Sequence, residues 1–125
     1  MVRALILTGI DAVRVAILSV RLNRTRRLSG PARLVSQLRR QGLKSRRRTV
    51  GERLRLQRVI RVMDRLFPAG PNCYRRALVE MAMDPDAASE QLHMGINAGG
   101  WLASGHAWLD SSPDKGTGYQ AEFRV

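Results

Sequence analysis

The sequence changes its apolar periodicity late in the chain, and this change limits the possible folds more than any other feature. Up to about residue 83, apolar residues recur every three or four positions, the spacing of amphipathic helices. From residue 92, LHMGIN alternates apolar residues with small or polar ones, and HAWLD and YQAEFRV predict two further strands joined by a hairpin loop. Helices followed by strands indicate an α+β fold in which a small antiparallel sheet packs on the last helix.

Four helices are predicted before the strands. The second begins at Pro31, the third is opened by a capping box of Thr49 and Glu52, and the fourth follows Asn72 as its N-cap. Charged residues within the first twenty positions argue against a membrane-spanning helix there. We expect this first helix to be amphipathic and to dock on the protein through one apolar face, formed by Leu5, Ile6, Ile10, Val13, Ile17 and Val20.

A chain of 125 residues is long enough for one hydrophobic core. We expect two regions that together form one compact unit, a basic helical region over residues 1–48 and a second region over residues 49–125 that contains the later helices and the strands. The positive charge is concentrated early, because residues 1–76 contain 20 basic and three acidic residues, a net +17. Such a surface suits nucleic acid, an anionic membrane, an acidic partner or simply water. No helix-turn-helix pattern or interleaved aromatic residues accompany the arginines, so no nucleic acid is expected.

The chain contains one cysteine and two histidines. One cysteine excludes a disulfide within the chain and suits a reducing cytoplasm. These three residues are also too few for a closed structural zinc site, which takes four ligands. We therefore expect neither a metal nor a cofactor.

Cys73 is predicted in the first turn of the fourth helix, where the positive end of the helix dipole attracts the charge of a thiolate. His106, on a later strand, is the candidate base, and Glu122, on the last strand, is the candidate acid that orients it. The alternative is a buried thiol and a structural histidine. Asp110 shares a face with His106 and remains a second candidate for the acid, whereas Asp114 is disfavoured by its place in a loop. His93 is given no role.

The segments NCYRRALVEMAM and LHMGINAGGWLASGHAWLD resemble the transglutaminase-like cysteine peptidases that remove leaders from lasso-peptide precursors. The resemblance covers about residues 50–125 and lies in Cys73, in residues 76–78, in Gly95 with Ile96, and in residues 106–110. Two departures are present, because Asp110 stands where the family has Glu and Glu122 where it has Asp.

The resemblance implies a papain-like core and a cytoplasmic peptidase that cleaves between leader and core of a ribosomally made precursor. It also implies two partners, a separate winged-helix recognition protein similar to the pyrroloquinoline-quinone chaperone and an asparagine-synthetase-like cyclase. We expect the basic helices to dock the recognition protein, with peripheral contact to the inner face of the membrane as a second possibility. The rival functions are an inactive transglutaminase-like scaffold and a basic nucleic-acid-binding module.

Overall fold

The computed structural model describes residues 1–25, 30–97, 104–112 and 121–125, with the backbone alone for residues 96, 97, 104 and 121–123. In chain order its elements are α1 (Val2–Thr25), α2 (Pro31–Leu43), α3 (Val50–Leu66), α4 (Cys73–Met83), α5 (Pro85–Ala88), β1 (Leu92–Asn97), β2 (Ser104–Leu109) and β3 (Ala121–Arg124).

Helices precede a small antiparallel sheet, and this order of elements confirms the predicted α+β fold class. The predicted hairpin between the last two strands is wrong, because the strand order is β2-β1-β3 and β1 pairs antiparallel with both others. The alternation of apolar residues gives the faces of each strand but not its neighbours. Residues 110–120 also exceed the roughly two to five residues of most hairpin loops, so the chain has length enough to pass β1.

The helix boundaries follow from their capping residues. Pro31 opens α2, and Thr49 and Glu52 form the predicted capping box of α3, with the Thr49 side chain accepting from the Glu52 N–H. The Asn72 side chain caps α4 by accepting the Arg75 N–H. Asp84 then caps the short helix α5, which was not predicted from the sequence.

The first helix is docked through the opposite face from the one predicted. Its buried residues are Asp11, Val15, Ser19 and Leu22. The predicted face is exposed, and even its least exposed member, Ile10, is 44% exposed. Asp11 forms a two-bond ion pair with Arg48, at 2.9 and 3.0 Å, and both side chains are buried. This ion pair and the small Ser19 let a partly polar face pack inward. Among the described residues, no helix is both long and apolar enough to cross a membrane.

One buried cluster joins the layers, with contributions from α1 to α5 and from β1 and β2. The helices α2 and α4 lie in close contact at Gly42, where an added Cβ would lie 1.8 Å from the carbonyl oxygen of Met81. Ala107 and Leu109 on β2 are buried in the same cluster, so the sheet packs on the helices through that face of β2. The division of the chain after residue 48 stays a prediction, although the cluster contains residues from both sides of it.

Candidate active site

The turn between α3 and α4 is held by a buried ion pair that places the start of α4. Asp64, near the end of α3, pairs with Arg75 on α4, and their side chains are 3% and 6% exposed. Asp64 also accepts the backbone N–H of Asn72 at 3.0 Å. The Arg75 guanidinium donates to the carbonyl of Gly70 at 2.7 Å and lies 3.9 Å above the ring of Phe67. These bonds therefore fix the backbone of Asn72, the residue before Cys73.

Gly70 is needed in this turn for its backbone. Its φ of +82° lies in the left-handed region, a backbone conformation that residues with a Cβ rarely adopt. Phe67 leaves the helical conformation at the end of α3, and Gly70 returns its N–H to the Phe67 carbonyl at 2.9 Å. The chain thus reverses within a few residues and brings the N-terminus of α4 close to the sheet.

Cys73 is the first residue of α4, as predicted, and its thiol is half-buried. The backbone N–H of Ala107 on β2 donates to Cys73 Sγ, with 3.3 Å between nitrogen and sulfur. This bond fixes the sulfur beside β2, next to the residue that follows His106. An N–H donor stabilises negative charge on sulfur, and the N-terminus of α4 acts in the same direction.

Cys73 and His106 line one cavity of about 480 Å³ between α3, α4 and β2. His106 is half-buried, and its imidazole stacks on the indole of Trp108, with 5.5 Å between ring centroids. The structure therefore brings together the two residues that the sequence identified as nucleophile and base. The other side chains of the cavity are largely polar or cationic, among them Gln57, Arg61, Arg65, Arg76, Glu80 and Ser112.

The strand register gives the position of Glu122 relative to His106. Gly95 on β1 lies directly opposite His106 on one side and opposite Glu122 on the other, so the three residues form one row across the sheet. The two edge strands are separated by about 10 Å, twice the usual strand spacing. The side chain of Glu122 lies outside the described residues, as does Asp114, and the role of Glu122 stays a prediction.

Asp110, the other candidate acid, bonds the second histidine. Its carboxylate lies 2.5 Å from Nε2 of His93 and also accepts the backbone N–H of Gln91 at 3.1 Å. The His93 imidazole stacks on Trp108, with 5.4 Å between centroids and 8° between planes. Trp108 thus contacts both histidines. His93 was given no role from the sequence, yet its imidazole packs on the same indole that packs on His106.

A half-buried carboxyl group, that of Glu80, lines the cavity on the helical side. Burial raises the pKa of Glu80, while a hydrogen bond from the Gln57 amide, 2.9 Å long, lowers it in part. Three arginines line the same cavity, and of these Arg76 lies 3.6 Å from the Asp64 carboxylate. The opening beside the thiol is therefore rich in positive charge.

Two features of the site could not be identified from the sequence. Arg75 lies two residues after Cys73, but its charge is matched by Asp64 inside the protein. An aspartate within an apolar helical stripe, 11 residues before its partner, carries no local signal of this pairing. Trp108 was recognised only as part of a motif, and its contact with His93 depends on pairing β1 with β2.

Within the described ranges, no group of three or more His, Cys, Asp or Glu side chains is arranged to hold a metal ion. Comparisons of the chain with protein-family models, with curated proteins and with solved structures found no match.

Proposed function

We propose that the chain is a cysteine peptidase with a transglutaminase-like core that removes the leader from a ribosomally made lasso-peptide precursor. The observation that carries the chemistry is the bond from the Ala107 N–H to Cys73 Sγ, in a cavity also lined by His106. A helix N-terminus and a neighbouring histidine are both features that activate a cysteine thiol as a nucleophile. The choice of substrate follows from the resemblance of the segments around Cys73 and His106 to the leader peptidases.

The reaction proceeds in two acyl-transfer steps. Cys73 Sγ attacks the carbonyl carbon of the scissile peptide bond after its proton passes to His106. The C–N bond breaks, His106 gives that proton to the departing amine of the core peptide, and the leader stays on Cys73 as a thioester. Water, deprotonated by His106, then attacks the thioester and releases the leader as a carboxylic acid with the thiol restored. The Asn72 cap already accepts the N–H of Arg75, and the backbone N–H of Cys73 itself, at the start of α4, is suited to stabilise the oxyanion of each intermediate.

Glu122 is the proposed acid of the triad. Its backbone and that of His106 flank Gly95, which has no side chain, so a carboxylate and an imidazole can approach each other above this residue. Asp110 is the alternative, and its bond to His93 gives it a competing task. The proposed partners are a separate leader-recognition protein and a macrolactam cyclase that receives the freed core N-terminus.

The function is tested by reconstitution with a short precursor and a winged-helix recognition protein taken from the genes neighbouring that of this chain. We expect cleavage between leader and core, detected by mass spectrometry, and loss of cleavage in Cys73→Ala and His106→Ala. Circular dichroism must show that both variants remain folded. Undiminished cleavage by either folded variant would refute the assignment of that residue, and a genomic neighbourhood without precursor and cyclase would refute the proposed substrate.

A further inference from the structure

The solvent face of α1 is a continuous aliphatic surface. At 100° per residue, six side chains fall within a sector of about 80° around the helix axis and extend over about 27 Å along it. No charged residue falls in that sector before Arg24. These six residues, called the outer stripe, are 44% to 71% exposed and comprise Val2, Ile6, Ile10, Val13, Ile17 and Val20. An exposed apolar surface of this extent is typical of an interaction site.

Arginines run along one flank of the outer stripe. Arg3, Arg14 and Arg21 project from the adjacent sector of α1 and are exposed. The one acidic residue of α1, Asp11, is buried and paired with Arg48. The solvent side of the helix therefore presents aliphatic and cationic groups together, with no carboxylate among them.

A second cavity, of about 630 Å³, opens beside this flank, between α1 and residues 41–55. Ile10 and Ile17 of the outer stripe line it together with Arg14, Arg21 and Arg55. Its two carboxylates already have partners, since Asp11 binds Arg48 and Glu52 binds Arg46. Within the described part of the chain, Arg14, Arg21 and Arg55 form no ion pair, so three cations face a cavity with an aliphatic rim.

We propose that α1 binds the surface of an anionic lipid bilayer. The outer stripe lies in the interfacial region of the bilayer, and Arg14, Arg21 and Arg55 bind lipid phosphate groups at its edge. A helix with this combination of faces lies in the membrane plane with its apolar side at the boundary between headgroups and acyl chains. Anionic lipids add attraction for each nearby arginine. This inference concerns binding alone and does not depend on the proposed peptidase activity.

Other occupants fit the surface less well. A second copy of the chain would bring together two molecules of net charge +12, which repel each other. A folded acidic protein would match the arginines. However, the outer stripe contains neither aromatic residues nor hydrogen-bonding side chains, and protein contacts gain most of their energy from aromatic and arginine anchors in pockets. A bilayer requires neither shape complementarity nor directional bonds from the stripe.

The test is co-sedimentation of the full chain with vesicles of phosphatidylcholine, with and without phosphatidylglycerol, at low and high salt. We expect binding to the anionic vesicles, weakened by salt. The triple variant Ile6→Gln, Val13→Gln and Ile17→Gln keeps good helix formers on α1 and should bind weaker by roughly tenfold for each side chain. The matched control, Leu43→Gln, Val50→Gln and Leu54→Gln, removes three exposed aliphatic residues that belong neither to the outer stripe nor to the lining of the second cavity, and it should bind as the wild type does.

The arginines are tested separately by Arg14→Gln, Arg21→Gln and Arg55→Gln, each of which should weaken anionic binding by roughly fivefold. Inorganic phosphate at matched ionic strength should not displace the protein from vesicles. Displacement would assign the cavity to a soluble phosphate compound and overturn the proposal. It would also be overturned by an absence of vesicle binding, by equal losses in the stripe and control triples, or by sedimentation showing a dimer that the stripe triple abolishes.

Discussion

The buried pair of Asp64 and Arg75 gives the sharpest prediction for stability. Replacing Asp64 with Leu removes the counter-charge of a guanidinium that is 6% exposed and leaves it only the Gly70 carbonyl and the Phe67 ring. Leaving one member of a buried ion pair uncompensated costs about 3–5 kcal/mol. Since a domain of this kind is stable by about 5–15 kcal/mol, this one change should remove a large share of the free energy of unfolding.

The reverse replacement should cost less, for a chemical reason. In Arg75→Met the remaining Asp64 keeps the charge of Arg76, 3.6 Å away, and the N–H of Asn72 as donor, whereas the arginine in the first variant keeps no counter-charge and cannot lose its own. We expect a loss of about 1–3 kcal/mol for Arg75→Met. The double variant leaves no buried charge unpaired, so it should be more stable than Asp64→Leu alone.

Urea denaturation of the wild type, both single variants and the double variant provides the measurement, followed by circular dichroism. Arg46→Ala is the matched control, because it breaks an ion pair with Glu52 whose arginine is 65% exposed, and it should change stability by less than about 1 kcal/mol. A double variant less stable than Asp64→Leu would refute the argument that charge, rather than lost volume, dominates at this position.

Three further predictions concern packing, pH and the triad. Gly42→Ala should destabilise the protein by about 1–3 kcal/mol or more in the same urea assay, because the new Cβ would meet the backbone at Met81. Gly9→Ala is the contrasting variant, because open space surrounds its new Cβ, and it should stabilise α1 by about 1 kcal/mol. The raised pKa of Glu80 means that the folded state binds its proton more tightly, so its contribution is present below the ordinary glutamate range and is lost as pH rises through the folded value. Glu80→Gln should therefore gain stability relative to wild type at pH 7 compared with pH 4, and equal differences at the two pH values would refute this. If Glu122 orients His106, Glu122→Gln should lower turnover more than Asp110→Asn, and the reverse ranking would transfer the role to Asp110.

The sequence was most informative where structure is determined locally. The N-cap residue Asn72, the capping box at Thr49 and the helix start at Pro31 depend on neighbouring residues, and all three are confirmed. Cys73 and His106 could likewise be selected because a helix N-terminus and a strand are each visible in the sequence. Their presence in one cavity follows from packing α4 on β2, which the order of elements already favoured.

The parts that failed depend on choices between alternatives that a single sequence leaves equivalent. Periodicity shows that Ile6, Val13 and Ile17 share a face of α1, but it does not show which face meets the core. The face of α1 that contains Asp11 packs on the core, because the charge of this residue is matched by Arg48, 37 residues later in the chain. The position of β1 between β2 and β3 is similar, because every pair in the sheet is antiparallel and the apolar alternation would be the same in either order.

The reactivity of the single cysteine tests the central claim most directly. Iodoacetamide reacts with thiolate, so the alkylation rate of Cys73 at pH 7 can be compared between the folded chain and the same chain in urea, with no other thiol contributing. We expect Cys73 in the folded protein to react faster than in the unfolded chain, by roughly tenfold, and we expect His106→Ala to remove most of this advantage. A folded thiol that reacts more slowly than the unfolded one, or a rate unchanged in His106→Ala, would contradict this expectation.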